Sequence, residues 1–96
     1  METLIGKKVL IRSVEAGIFF GTLINKEGSE VTLKNARRIW YWEGATDTCQ
    51  IATNGISKKS KATTPVSQII ILNVVEIHPL MEKAIQNLES ISIWKV

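Results

Sequence analysis

The sequence predicts an α+β domain: a β-rich bent antiparallel sheet or small barrel, with one short helix and one C-terminal amphipathic helix. Three observations carry this reading. Runs of β-branched and apolar residues, separated by turn signals, fill the first half of the chain. A later apolar run, IIILNVV, is the length of a strand and not of a membrane span. One segment, LMEKAIQNLES, has the period of a helix with one apolar face.

Taken in order, KKVLIRS (7–13) is the first strand and VEAG (14–17) the turn after it. IFFGTLIN (18–25) is the second strand, and its internal Gly21 marks a bulge or tight bend. KEG (26–28) turns the chain into SEVTLKNARRIWYW (29–42), one long strand or two with a kink. Strict alternation puts Val31, Leu33, Asn35, Arg37, Ile39 and Tyr41 on one face of it. Thr32, Lys34, Ala36, Arg38, Trp40 and Trp42 then take the other. Strands of this length with short turns imply a strongly bent sheet or small barrel. In EGATDTCQIATNGI (43–56), Thr46 or Asp47 caps a short helix that Asn54-Gly55 ends. SKKSKATTP (57–65) is a polar, basic loop. VSQIIILNVVEIHP (66–79) is one buried strand, or two joined at Asn73, and its near-continuous apolar run implies cover on both faces. In the final helix Met81, Ala84, Ile85 and Leu88 form the apolar stripe, with Pro79 placed to start it. ISIWKV (91–96) alternates like an edge strand.

Length and composition bound the function. Ninety-six residues make one domain, 1–96, with a modest core. At 45% apolar and 22% charged, the chain folds, and some apolar surface is expected to meet another subunit. A net charge of +3 favours an anionic partner without the dense basic patch of a duplex-DNA binder. Cys49 is the single cysteine, which excludes an intrachain disulfide and a Cys-rich zinc site. No signal-peptide pattern opens the sequence, so a cytoplasmic protein is expected. No metal-ligand spacing and no cofactor motif is present. Cys49 with His78, or Glu43 with Asp47, are formal catalytic pairs with no other support, so no enzyme is expected.

The run NARRIWYWEGA (35–45) concentrates the chemistry. Arg37 and Arg38 can hold a base edge or a phosphate. On strict alternation they face opposite ways and do not share a task. Trp40, Trp42 and, less favourably placed, Tyr41 can stack on bases. Glu43 can accept from guanine N1 and N2. The same residue types also serve a core or a subunit interface, with Arg38 lying over a ring. Lys58, Lys59 and Lys61 can clamp phosphate, and so can Thr46 and Thr48 at a helix start. Each of these has a plain structural reading as well: a solvated loop and a helix cap.

The motif resembles one found in a family of small phage proteins, mostly of unknown function. The correspondence runs over Ala36-Arg37-Arg38-Ile39-Trp40-Tyr41-Trp42-Glu43-Gly44-Ala45, then Glu76-Ile77-His78-Pro79, then Ile91-Ser92-Ile93-Trp94. The resemblance extends to viral sponges that inhibit CBASS defence by sequestering cyclic di- or oligonucleotide signals without cleaving them. It implies a homo-oligomer, a tetramer by analogy, with sites at subunit interfaces. Two alternatives stay open at this point. One is a small basic barrel binding single-stranded RNA or DNA. The other is a structural phage protein whose aromatic run is an assembly surface.

Overall fold

All three early strands form, and the turns between them fall where the glycines stand. The computed structural model describes residues 4–93. β1 (Lys8–Ser13), β2 (Gly17–Glu27) and β3 (Glu30–Tyr41) make an antiparallel meander. α1 (Thr48–Asn54) follows, with Asp47 as its cap and Gly55 ending it at φ 87°. A two-residue strand, β4 (Lys61–Ala62), lies inside the expected basic loop. β5 (Val66–Ile71), β6 (Val74–Pro79) and α2 (Glu82–Glu89) complete the described elements.

The strand order is β4-β3-β2-β1-β6, with β5 also on β3. β5 and β4 follow one another along the same edge of β3, β5 against Val31–Ala36 and β4 against Ile39 and Tyr41. β6 pairs with β1 on the far flank. Only Leu72 and Asn73 separate β5 from β6 in the chain. Two residues can bridge opposite flanks only if the sheet rolls. Backbone bonds from Val14 N–H to Asn73 O (3.1 Å) and from Val74 N–H to Ser29 O (2.9 Å) fasten the rolled end. No β5–β6 ladder closes the roll among the described residues, so the sheet is bent and open and not a closed barrel.

The roll gives the sheet two apolar faces. Val9, Ile11, Phe19, Leu23, Val31, Leu33, Ala36 and Ile71 pack within it. On the other face Leu10, Phe20 and Ile39 meet Ile51 and Ala52 of α1, Leu88 of α2, and Ile91. Val9, Leu10 and Ile11 are therefore all fully buried in consecutive positions. The helices are joined through Asn87. Its side chain accepts from Ile56 N–H at 2.7 Å and donates to Ile56 O at 2.8 Å. A Cβ on Gly55 would lie 2.2 Å from Asn87 Oδ1, so only glycine fits there.

Four expectations change. Strict alternation fails in β3 because Asn35 takes a left-handed φ of 52°. The β2–β3 register jumps from Phe20↔Arg37 to Thr22↔Lys34, so Gly21 alone faces the extra residue. A Cβ at Gly21 would sit 3.0 Å from the Ala36 Cα, which explains the glycine. Past this bulge Ala36 shares the inner face with Val31 and Leu33, while Arg37 and Phe20 lie toward the helices. The run 66–79 is two strands bent at Asn73, but it is not covered on both faces. Ile70 (56%), Val75 (52%) and, in the link, Leu72 (56%) are exposed, and neither core cluster of the described residues includes them. Met81 precedes α2 and is exposed, and Pro79 ends β6 instead of opening the helix. Of the expected last strand, Ile93 makes a single parallel bridge to Ala62, and residues 94–96 lie outside the described residues. Among the described residues no helix is long and apolar enough to cross a membrane.

Candidate functional site

A second bulge shapes the end of β3. Ile39 pairs with Ala62 and Tyr41 with Lys61, which leaves Trp40 as the extra residue. Bulges re-aim side chains. Here Trp40 is 55% and Tyr41 45% exposed, although they are neighbours. Their ring centroids lie 6.4 Å apart with planes tilted by 57°. The Tyr41 hydroxyl donates to the Glu43 carboxylate. That bond, with the carboxylate's charge, holds the phenol above its ordinary pKa of 10.

The backbone of Glu43 ties this aromatic pair to the basic turn. Ser57 N–H donates to Glu43 O at 2.8 Å, and Glu43 N–H donates to Ser60 Oγ at 3.1 Å. Ser60 is fully buried beneath the turn. Ser60 N–H closes the turn on Ser57 O at 3.0 Å, and Lys59 N–H donates to Ser57 Oγ at 3.1 Å. Lys58 and Lys59 are exposed at its tip, and Lys61 faces Tyr41 across β4. Two motifs separated in sequence thus form one surface: Trp40, Tyr41 and Glu43 with Lys58, Lys59 and Lys61.

The other expected site residues go elsewhere. Arg37 is 6% exposed. Its Nε donates to Thr63 O (2.8 Å), Nη2 to Ile91 O (3.0 Å) and Ala62 O (3.5 Å), and Nη1 to Leu88 O (3.5 Å). Burial lowers its pKa, since desolvation disfavours the charged form. These bonds join β3 to the segment after α2. Arg38 is exposed and lies 4.8 Å from the Phe19 ring centroid, a cation–π pair on phenylalanine and not on tryptophan. Trp42 is half-buried and packs against the helix-side core. Thr46 uses its N–H and hydroxyl on Gln50 Oε1, both at 2.9 Å. Asp47 Oδ1 takes Gln50 N–H at 3.0 Å. These bonds close the start of α1 from within. Thr48 is buried and donates to Glu76 Oε1 at 2.6 Å.

Glu76 is the centre of a cluster that local patterns do not reveal. Besides Thr48 it meets His78 Nε2 at 2.8 Å and Arg12 Nη1 at 3.2 Å. The one available signal is non-local: Arg12 and Glu76 are opposite in the β1–β6 register. The Thr48 hydroxyl, then His78, and also the Arg12 charge lower the Glu76 pKa from 4.5 to about 2. A carboxyl whose pKa is depressed on folding stabilises fully above its unfolded value and loses that stabilisation as pH falls through the folded one. Glu76→Gln is therefore expected to melt below the wild type at pH 6, with the gap closing between about pH 4.5 and about pH 2. Thermal melts of both proteins across that window check this; a gap constant with pH would remove the carboxylate from the account.

Among the described residues no group of three His, Cys, Asp or Glu side chains is placed to hold a metal, and Cys49 is exposed. Fold and surface together define an open, rolled-sheet α+β protein with an exposed aromatic pair beside a lysine turn. The chain belongs to the family described as Domain of unknown function (DUF6948), which matches residues 6–88. No curated protein matches the chain, and no solved structure does.

Proposed function

We propose that this protein binds nucleotides without catalysis, and that it sequesters a cyclic di- or oligonucleotide immune signal as a phage anti-CBASS sponge in the host cytoplasm. The observation that carries the reading is the single surface formed by Trp40 and Tyr41 with Lys58, Lys59 and Lys61. Aromatic faces stack on bases, and lysines neutralise phosphates. Glu43 accepts from the Tyr41 hydroxyl on one carboxylate oxygen, which leaves acceptor sites for a base's N–H groups.

Among the described residues Trp40, Tyr41, Lys58, Lys59 and Lys61 form an open surface, so enclosing a small ligand there calls for a second copy of the chain. The β5 edge supports such a copy. Among the described residues it pairs only with β3, and no charge interrupts VSQIIILN (66–73), whereas a lone soluble edge strand is usually protected by charges. The openness of the aromatic face also favours a second reading, single-stranded RNA or DNA laid across it.

Titration of tryptophan fluorescence separates the readings. The ligands are cyclic dinucleotides, cyclic trinucleotides and oligonucleotides of increasing length, at two salt concentrations. A sponge gives a saturable signal with one cyclic nucleotide, fixed stoichiometry per oligomer by light scattering, and intact ligand on heat release. A polymer binder gives affinity that rises with oligonucleotide length and falls steeply with salt. No signal with any of them rejects both readings and leaves the face as an assembly surface.

A further inference from the structure

A cavity lies away from the aromatic surface, between the Asn35 bulge and α2. It has a volume of about 460 Å³, within the ~300–1,000 Å³ of small-ligand pockets. Phe20, Leu80, Ile85 and Ile91 supply apolar walls, and the bare backbone of Gly21 lines the floor at the bulge. Among the described residues three charged side chains line it: Lys8, Arg37 and Glu89. Lys8 and Glu89 form an ion pair with each other. Arg37 has no carboxylate within ion-pair distance among the described residues, only neutral carbonyl oxygens. Among the described residues the lining thus carries one net positive charge, and Arg37 is buried, only 6% exposed. A buried cation without a counter-charge is costly. Of the guanidinium's five N–H groups, four carry the carbonyl bonds, and one on Nη1 remains.

We propose that this cavity binds a small monoanion with an apolar body, a monocarboxylate, with its charged end at Arg37 and its apolar body along Phe20, Leu80 and Ile85. One oxygen accepts from the remaining Nη1–H, and the ligand's single negative charge completes the balance. Neither the Trp40 surface nor a second subunit is needed, so this site stands whether or not the sponge reading does.

Arg37 variants disturb the fold contacts described above, so the test keeps Arg37 and varies the ligand and the wall. The full chain, labelled with ¹⁵N, is titrated with naphthoate and separately with the neutral isostere naphthamide. Naphthoate is expected to give saturable shifts at the amides of Gly21, Thr22, Ile85 and Ile91, and naphthamide to bind about tenfold more weakly for want of the charge-assisted bond. Ile85→Trp fills the cavity from α2 and is expected to abolish the naphthoate shifts, while the resonances of the inner core stay in place. Equal affinity for the acid and the amide, shifts confined to other residues, no saturable shift, or undiminished binding by Ile85→Trp would each overturn the proposal.

Discussion

Arg37→Met is expected to lower the unfolding free energy by about 3 kcal/mol, the cost of leaving buried carbonyls without a charged donor. For a domain of this size that corresponds to a fall of roughly 12–24 °C in melting temperature. Two effects oppose each other. Removing the arginine relieves the desolvation that lowers its pKa, and methionine offers a flexible apolar chain of similar reach. Against this, the oxygens of Thr63 and Ile91 lose donors at 2.8 and 3.0 Å, and the longer contacts to Leu88 and Ala62 go as well. Charged hydrogen bonds contribute roughly 1.5–3 kcal/mol each, and two strong ones outweigh the relief. Arg37→Lys is expected to do little better, because an ammonium cannot reproduce the planar fork that reaches both β4 and the segment after α2. Urea unfolding of both variants checks this. A change within about 1 kcal/mol would mean that water from the neighbouring cavity satisfies the carbonyls.

Trp40→Ala is expected to weaken nucleotide binding by roughly 5- to 150-fold, the range of one base–aromatic stack. Its ring is the extra residue of a bulge and more than half exposed, so stability should change by only about 0.5 kcal/mol or less. Trp42→Ala supplies the contrast. That ring packs on the helix-side core, so its loss is expected to appear first in the melting temperature. Fluorescence titration and thermal melts of both variants read the two effects. If Trp42→Ala abolishes binding at unchanged stability and Trp40→Ala does not, the surface is wrongly assigned.

The elements were legible because their signals are local. The caps of α1, Asp47 and Gly55, stand where the sequence places them, and Asn73 marks a bend that its φ of 56° confirms. The phase of β3 was not legible by alternation. The left-handed Asn35 reverses the side chains that follow it until the Trp40 bulge shifts the phase again, although Asn tolerates that conformation and Gly21 opposite it was a hint. The fate of Arg37 depended on carbonyls at Ala62, Thr63, Leu88 and Ile91, which no window around residue 37 contains. The apolar run 66–79 resembled a central strand because composition does not say how many neighbours a strand has. Lys61 facing Tyr41 was likewise invisible until β4 paired with β3.

The two-residue link between β5 and β6 also governs how the molecule comes together. β1, β2 and β3 can zip up with short loops, but Val31 must find Ile71 across 40 positions and Val9 must find Pro79 across 70. Distant pairings of this kind slow folding, because loop closure precedes their reward. Since Leu72 and Asn73 leave so little slack, seating β5 on β3 carries β6 to the edge of β1. The two flanks are thus geometrically coupled: docking either of the last two strands brings the other to its own edge.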